Sequence, residues 1–492
     1  MTDYLEGFAE KKIIESYKAN ETCFLLGQAH PDHGLNIPVG INDDRHLFIM
    51  AGSRSGKGTS MLIPNLINWM GGVFCVDPKG ENASITACRR GDAATAKKAK
   101  SNVSKFLGQK VAILDPMGTV KGAAKTYRIA YDPLNDVDIG TDDEVRQIKA
   151  IGEALVISDG DKDSHWTDGA RMILEGIIES VLHNEKDTPE NKSLAFVRSI
   201  YQSGLSGAAL EYLKKTPVTD GGLALDAVAL IEDAGEDESG SFSTTLARQL
   251  QFLSDPRMQR HLKNDGFSLT KAVQENWSVY LCIPPSQIDR MKRWLRVLIR
   301  IGLDAKMFAP QAHQGQQSLF LLDEFSSLGK MKEIETSAAY MAGYGIKLVP
   351  VIQNIGQIKE IYDKNWETFL GNAGAIIAWG LNDLDSEKYV SDRLGNVLTY
   401  EISASTSAST PRGAWQASSI SESQSAALHE RPVRRPNEVH YEGARETGRA
   451  FIVPAAGEPF MVMRRNYHEK KHFPTSFYDS PEHIRQWESR YG

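Results

Sequence analysis

A glycine-rich turn at residues 51–60 constrains this chain more than any other feature. It reads Ala-Gly-Ser-Arg-Ser-Gly-Lys-Gly-Thr-Ser and follows a largely apolar run at 46–50. A triphosphate needs several converging backbone N–H groups, the N-terminus of a helix and one mobile cation, and a lysine-bearing turn between a strand and a helix supplies all three. The turn therefore predicts a phosphate-binding loop, against the alternative of a structural turn with an exposed lysine.

The loop departs from the strict phosphate-loop pattern at two positions. Ala51 occupies the place of the first glycine, and Gly58 occupies the place of the hydroxyl residue that binds magnesium. Thr59, Ser60 or a water must then take that ligand position, and we assign Thr59 to it. The residues expected to contact the nucleotide are Gly52, Ser53, Arg54, Ser55, Gly56, Lys57, Gly58, Thr59 and Ser60.

Two adjacent carboxylates give the second signal. The apolar run at 318–322 ends in Asp323 and Glu324. Nucleotide hydrolysis needs one carboxylate to hold Mg²⁺ and another to orient and deprotonate the attacking water, and we assign Asp323 and Glu324 to these roles in that order. An acidic pair at a strand end is weak evidence alone, but together with Lys57 it predicts hydrolysis of ATP or GTP.

A polar amide, Gln353, follows the predicted strand at 347–352. At the carboxyl end of a strand beside the loop, Gln353 could contact the γ-phosphate and report its loss to the moving parts of the protein. The alternative is a solvated glutamine at the end of a strand, and the sequence pattern by itself favours that alternative.

Composition excludes a protein that coats nucleic acid through bulk charge. The 492 residues carry a formal net charge of −7, so any nucleic-acid contact must use a local basic surface. The length is enough for two or three domains. Cys23, Cys75, Cys88 and Cys282 are widely spaced, which predicts reduced core residues of a cytosolic protein. We predict neither a secretory signal nor a membrane span.

Strand-like apolar runs alternate with helical stretches along most of the chain, which predicts a doubly wound α/β fold with a mainly parallel sheet and its ligand at the carboxyl ends of the strands. Strand signals vanish between 141 and 275, which predicts an inserted all-α domain; helices that merely cover the sheet are the alternative. The predicted division is an N-terminal extension leading into the sheet at 1–45, two nucleotide-binding parts at 46–140 and 276–470, the insertion at 141–275, a flexible Ser/Ala-rich loop at 401–427 and a polar tail at 471–492.

Several motifs together resemble one family. Over roughly residues 24–475 the chain is similar to the type IV secretion coupling proteins, the VirD4/TraG family of conjugation ATPases. Gly58 then looks like the family's own variant of the loop. The stretches that carry the resemblance are Ser53-Arg54-Ser55-Gly56-Lys57-Gly58, Ile63-Pro64-Asn65-Leu66, Asp77-Pro78-Lys79-Gly80-Glu81, Tyr131-Asp132-Pro133-Leu134, Leu322-Asp323-Glu324-Phe325, Gly343-Tyr344-Gly345-Ile346 leading to Gln353, and Arg431-Pro432-Val433.

The resemblance implies a RecA-like P-loop NTPase domain that binds ATP and Mg²⁺, an inserted all-α domain, and a homo-hexameric ring that passes DNA or protein through its centre. It implies relaxase, single-stranded DNA and the type IV secretion machinery as partners, at the cytoplasmic face of the bacterial inner membrane. Family members usually carry N-terminal transmembrane helices. Because this sequence shows none, we expect membrane association through an anchor outside it or through a partner.

The leading hypothesis is an ATP-hydrolysing coupling protein that recruits substrate and drives it into a type IV secretion channel. One alternative is a nucleotide-binding docking platform without motor activity, and another is a DNA pump of the FtsK/HerA type. Ring motors commonly use an arginine from the neighbouring subunit to stabilise the transferring phosphate. Arg296 and Arg393 are the candidates for that arginine.

Overall fold

A computed structural model of the chain describes residues 5–157, 164–185, 188–217, 222–263, 266–309, 317–337, 340–409 and 419–492. Two sheets are formed by the strands β1 (Phe24–Ala29), β2 (Pro38–Ile41), β3 (His46–Ala51), β4 (Val73–Val76), β5 (Val111–Leu114), β6 (Ser278–Leu281), β7 (Ser318–Leu322), β8 (Ile346–Ile352), β9 (Ala373–Trp379), β10 (Asn396–Ser409), β11 (Ser419–Pro432), β12 (Arg449–Pro454) and β13 (Phe460–Met463).

Helices cover the larger sheet and fill the long interval between β5 and β6. They are α1 (Lys11–Ser16), α2 (Ile63–Asn68), α3 (Glu81–Arg90), α4 (Ala93–Lys98), α5 (Glu144–Leu155), α6 (Ser164–Asn184), α7 (Leu194–Gln202), α8 (Leu210–Lys214), α9 (Leu223–Asp233), α10 (Glu236–Gln249), α11 (Pro256–His261), α12 (Leu269–Gln274), α13 (Ile288–Met307), α14 (Lys332–Ser337), α15 (Ile355–Tyr362), α16 (Glu367–Gly371), α17 (Leu384–Leu394), α18 (Pro436–Glu442) and α19 (Pro481–Tyr491).

The larger sheet has eleven strands in the order β2-β1-β13-β12-β9-β3-β8-β7-β4-β6-β5. The seven strands from β9 to β5 run parallel, and the remaining four pair antiparallel at the other side. Every residue of β3, β7 and β8 is buried, as expected for parallel strands enclosed by helices on both faces. The predicted α/β fold class is confirmed, and the carboxyl ends of the parallel strands meet at one edge.

The N-terminal region contributes two strands that the sequence pattern did not reveal. We predicted an extension leading into the sheet at 1–45, and β1 and β2 lie within the sheet itself. Both strands are short, and the pairing between them shifts register between Leu25 and Gly27. Such an irregularity breaks the period of two on which strand prediction depends.

Residues 141–275, where they are described, form helices and contain no strand. Long α6 packs on α9 at Gly176, where an added Cβ would meet Ala227. Buried residues of these helices, such as Leu174, belong to the same apolar cluster as Phe320 of β7. The helical region therefore shares its core with one face of the sheet, and its status as an inserted domain remains a prediction.

The flexible loop predicted at 401–427 is largely a β-hairpin. Strands β10 and β11 pair antiparallel in unbroken register from Asn396–Pro432 to Ser409–Ser419, and residues 410–418 lie outside the described residues. The prediction was wrong because it considered Ser/Ala/Thr composition and not periodicity. The register sets Ser403, Ser405 and Ser407 opposite serines of the partner strand.

Cys23, Cys75, Cys88 and Cys282 are buried free thiols, as expected from their spacing. Across the ranges that the structure describes, no helix combines the length and the apolar character that a bilayer span requires.

Candidate functional site

The glycine-rich turn leaves β3 at the carboxyl edge of the sheet and enters a π-helical turn, Gly58–Leu62, that continues into α2. Gly56 has φ of +87°, in the left-handed region that favours glycine. A Cβ at Gly52 would clash with the carbonyl oxygen of Gly380, just after β9. Two glycines of the predicted loop are thus required by its geometry. π-Helical turns are rare and frequently lie at functional sites.

Three residues from distant parts of the chain hold the loop carbonyls. Trp379 Nε1 donates a hydrogen bond to Ser55 O at 3.1 Å, and Arg464 Nη1 donates to the same oxygen at 2.8 Å. Arg445 Nη1 donates to the carbonyl oxygen of Arg54 at 3.0 Å. Arg464 is 9% exposed, and burial lowers its pKa to about 10. The buried Arg464 guanidinium therefore holds the loop in place at the Ser55 carbonyl oxygen.

We expect Arg464→Lys to loosen the loop. Arg464 donates hydrogen bonds to three carbonyl oxygens, and a lysine cannot reproduce that planar fork. Loss of two such bonds predicts a free energy of unfolding about 1–3 kcal/mol lower, measured by urea denaturation. Arg393→Lys, on the exposed side of α17, is the matched control. Equal unfolding free energies for the two variants would contradict the prediction.

Lys57 lies between the two predicted carboxylates. Its Nζ is 3.0 Å from Asp323 Oδ1 and 2.7 Å from Glu324 Oε1. Gln353 Nε2 donates to Glu324 Oε2 at 2.9 Å. The ends of β3, β7 and β8 thus bring together four residues that the sequence separates by almost 300 positions, because β8 lies between β3 and β7 in the sheet.

Glu324 has a left-handed backbone, with φ of 59° and ψ of 44°. A non-glycine residue in this region costs about 1 kcal/mol or more, and such strain concentrates at functional sites. The following 3₁₀ turn, Phe325–Leu328, is held by apolar packing: the ring of Phe325 stacks on Tyr362 at 6.0 Å and contacts Phe369 at 5.6 Å. The packing fixes the direction in which Glu324 leaves the strand.

Charge and burial oppose each other at this centre. Burial would lower the pKa of Lys57, but the charges of Asp323 and Glu324 outweigh it and raise that pKa. For Glu324, burial would raise the pKa, and the Lys57 charge together with hydrogen bonds from Lys57 and Gln353 lowers it overall. For Asp323, burial dominates and raises the pKa. Glu324 is therefore an ionised carboxylate at neutral pH.

The two hydroxyl residues of the loop differ in placement. Ser60 is 3% exposed, and its Oγ donates to the carbonyl oxygen of Gly56 at 2.8 Å. Thr59 is half-buried; its Oγ1 donates to the same oxygen at 3.0 Å and lies 3.4 Å from Asn466 Oδ1. Thr59 is the more accessible hydroxyl. With the Asp323 carboxylate it supplies oxygen donors of the kind that Mg²⁺ prefers when phosphates complete its shell.

The two arginines suggested as ring partners differ. Arg296 is 5% exposed, and its Nη1 donates to the carbonyl oxygens of Leu328 at 3.1 Å and Lys330 at 2.6 Å. It therefore braces the segment after Glu324 in its own chain. Arg393 lies exposed on α17.

With this geometry established, comparison with known proteins identifies the family. Residues 5–479 match the family model described as "Type IV secretory system Conjugative DNA transfer". The chain belongs to the VirD4/TraG family of type IV secretion coupling proteins. The resemblance drawn from the sequence motifs is thereby confirmed for residues 5–479.

Individual relatives of this coupling protein agree. It is 27% identical over 447 residues to the conjugal transfer protein TraG of Escherichia coli, which covers 82% of the chain and 66% of TraG. It is 26% identical over 363 residues to VirD4 of Agrobacterium fabrum (strain C58), which covers 71% of the chain and 49% of VirD4. The coupling protein thus spans about two thirds of TraG and half of VirD4.

Among solved structures, the bacterial conjugative coupling protein TrwB superimposes with a TM-score of 0.62 at 13% identity, covering 95% of each chain. TrwB has also been solved in complex with ADP and Mg²⁺. The likeness shows that the chain shares the fold of TrwB.

The sequence analysis did not predict the three residues that donate hydrogen bonds to the loop carbonyl oxygens. Trp379, Arg445 and Arg464 lie more than 300 residues from the loop and belong to no phosphate-binding pattern. Trp379 ends an apolar run, which predicts only the end of a strand. Arg445 and Arg464 lie in segments of mixed polar and apolar residues that predict no binding role. Only the order of β9, β12 and β13 in the sheet brings them near the loop.

Proposed function

We propose that this coupling protein hydrolyses ATP with Mg²⁺ and uses that energy to drive substrate into a type IV secretion channel. The proposal rests on one observation: at three separate strand ends, Lys57 contacts both Asp323 and Glu324, and Gln353 donates a hydrogen bond to Glu324. This is the set of a cation, a metal ligand, a base and a polar sensor that phosphoryl transfer to water needs.

In the proposed reaction the loop N–H groups and the Lys57 ammonium hold the triphosphate. Thr59 and Asp323 would hold Mg²⁺, which neutralises charge on the phosphate oxygens. Glu324 orients a water and accepts its proton as the water oxygen bonds to the γ-phosphorus. The bond from that phosphorus to the bridging oxygen breaks, which releases ADP and phosphate. Gln353, hydrogen-bonded to Glu324, would respond to the loss of the γ-phosphate.

The names of the relatives support the cellular role. TraG is a conjugal transfer protein, and TrwB, a conjugative coupling protein, binds ADP and Mg²⁺. We therefore propose relaxase-bound single-stranded DNA, protein, or both as cargo. The proposed partners are the secretion machinery and further copies of this chain in a hexameric ring. The proposed location is the cytoplasmic face of the inner membrane, reached through an anchor outside this sequence or through a partner.

Metal removal tests hydrolysis directly. With the purified chain at high concentration and single-stranded DNA present, phosphate release from ATP is expected to require Mg²⁺. It should fall to background in EDTA and return when Mg²⁺ is restored in excess. A chain that binds ATP but releases no phosphate under any of these conditions would support the docking-platform alternative and contradict the proposal.

The choice between the two hydroxyl residues gives a matched pair of variants. We expect Thr59→Ala to raise the Mg²⁺ concentration needed for half-maximal hydrolysis by roughly tenfold, because one direct metal ligand is lost. Ser60→Ala, whose hydroxyl is buried against Gly56 O, should leave that concentration unchanged. Titration of ATPase activity with Mg²⁺ measures both. The reverse ranking would assign the metal to Ser60.

A further inference from the structure

A second charged cavity lies at the same edge of the sheet but away from Lys57. It has a volume of about 420 Å³ and is enclosed by the turn after β5 (115–118), the segment 128–130 and the short helix α11. β5 is five strands from β3 in the sheet, which at the usual strand spacing is about 24 Å. The cavity is therefore separate from the nucleotide site.

Three arginines line this cavity. Arg128 is anchored by Asp115: its Nη2 donates to Asp115 O at 3.0 Å, and its Nε lies 3.4 Å from Asp115 Oδ2. The Asp115 carboxylate is itself occupied by the backbone N–H groups of Thr119 and Val120, at 2.8 and 2.9 Å. The Arg128 side chain remains 38% exposed, so part of its guanidinium faces the opening.

The other two arginines come from α11. Arg257 Nη2 lies 3.1 Å from Asp255 Oδ2, and the Arg257 side chain is 48% exposed. Arg260 is exposed, and among the described residues no carboxylate forms an ion pair with it. Asp115 pairs with Arg128, and Asp255, next to the cavity, is shared by Arg257 and by Arg290 at 3.7 Å, so the carboxylates do not balance the guanidinium groups and the cavity has an excess of positive charge.

A buried histidine completes the lining. His261 is 8% exposed, and its Nε2 is buried without a hydrogen-bond partner in the described part of the chain. Its ring packs edge-on against Trp294 at 5.4 Å, which fixes its orientation. Burial, with a smaller effect from the Arg128 charge, lowers the pKa of His261 to about 4. The ring is therefore neutral at pH 7 and can present an Nε2–H group.

A buried polar atom without a partner is costly, and each such atom calls for an explanation. An acceptor oxygen in the cavity would satisfy the His261 Nε2–H group and would neutralise the excess arginine charge. Guanidinium groups match the geometry of phosphate oxygens by paired hydrogen bonds. We propose that this cavity binds a phosphate group, held by Arg128, Arg257 and Arg260 and by a hydrogen bond from His261 Nε2.

The same chemistry occurs in free phosphates and in the backbone of a polynucleotide, and two binding measurements separate these sources. Both use the full-length Lys57→Ala variant, so that the nucleotide loop contributes less to phosphate binding. One measures inorganic pyrophosphate by calorimetry, and the other measures a fluorescent oligo-dT 20-mer by anisotropy over a range of salt concentrations. Neither measurement depends on hydrolysis, so failure of the proposed ATPase activity would leave this test intact.

In that background we compare two double variants. The test variant carries Arg257→Gln and Arg260→Gln, and the control variant carries Arg485→Gln and Arg490→Gln. The control arginines are exposed on α19, and the change in net charge is the same. Loss of two charge-assisted contacts predicts affinity weakened by roughly tenfold or more in at least one measurement. Weaker pyrophosphate binding identifies a free phosphate as ligand. Weaker oligo-dT binding, with a salt slope smaller by about 1.4, identifies a polynucleotide.

Equal affinities of the two double variants for both probes would overturn the proposal. The proposal would also be overturned if neither probe bound to the Lys57→Ala parent. A second measurement follows His261 itself: in a histidine-selective ¹⁵N spectrum its Nε2 resonance, identified by its loss in His261→Gln, should shift when the bound probe is added. An unshifted resonance at saturation would remove the histidine contact.

Discussion

Lys57→Ala is expected to lower kcat for ATP hydrolysis by roughly 10²–10³-fold, the usual cost of removing one preorganised group that stabilises the transition state. The substitution removes the ammonium that contacts both carboxylates at 3.0 and 2.7 Å. Two partly buried acids then face each other without a cation. Their mutual repulsion raises the pKa of the pair, so a smaller fraction of Glu324 is ionised and able to accept a proton.

Phosphate release at saturating ATP and Mg²⁺ measures this effect. Lys97→Ala is the matched control, because Lys97 lies exposed on α4 and makes no contact at the site. Circular dichroism and size-exclusion chromatography establish that both variants fold. Equal rates for Lys57→Ala and the parent chain would remove the hydrolysis proposal.

Glu324→Gln is expected to lower kcat by roughly 10²–10⁴-fold while ATP binding is retained, because a positioned general base contributes about that much. A glutamine can still accept a hydrogen bond from Lys57, but it cannot take a proton from water. The pKa of Glu324 lies below its usual value, so the base stays ionised as the pH falls toward 5. The expected result is a variant that holds ATP and turns it over very slowly.

Equilibrium binding of a fluorescent ATP analogue and single-turnover hydrolysis separate the two effects. Glu15→Gln, exposed on α1, serves as the control. Undiminished turnover in Glu324→Gln would assign the base elsewhere. A variant that loses ATP binding as well would show that Glu324 acts mainly by holding Lys57 in place.

The proposed catalytic set was predictable because its signals are local. Lys57 lies in a glycine-rich turn, and Asp323 and Glu324 end a strand that is apolar on both faces. Parallel strands present their carboxyl ends together, so recognising the strands was enough to bring these residues to one edge. For Gln353 the strand pattern alone favoured a solvated glutamine, and the sensor role came from the family resemblance. Its hydrogen bond to Glu324 supports the role proposed for it without testing that role.

The supporting residues were not predictable because they depend on chain topology. Arg464 reaches Ser55 only because β13, β12 and β9 follow one another across the sheet toward β3. The hairpin was missed for a different reason: a serine-rich composition resembles a linker until its pairing partner is known. Arg296 was suggested as the arginine that reaches a neighbouring subunit, but on α13 it is buried and donates to two carbonyl oxygens of its own chain, contacts that the sequence pattern does not reveal.

The contact between Gly52 and Gly380 also fixes a distant part of the chain. Gly380 donates its N–H to the carbonyl oxygen of Gly443. The segment from 380 to 443, which includes α17, the hairpin and α18, therefore begins and ends next to the glycine-rich loop. Trp379, Arg445 and Arg464 hold the same loop through its carbonyl oxygens. The two ends of the segment that carries the β10–β11 hairpin are therefore anchored beside the glycine-rich loop, although they lie more than 300 residues from it in the sequence.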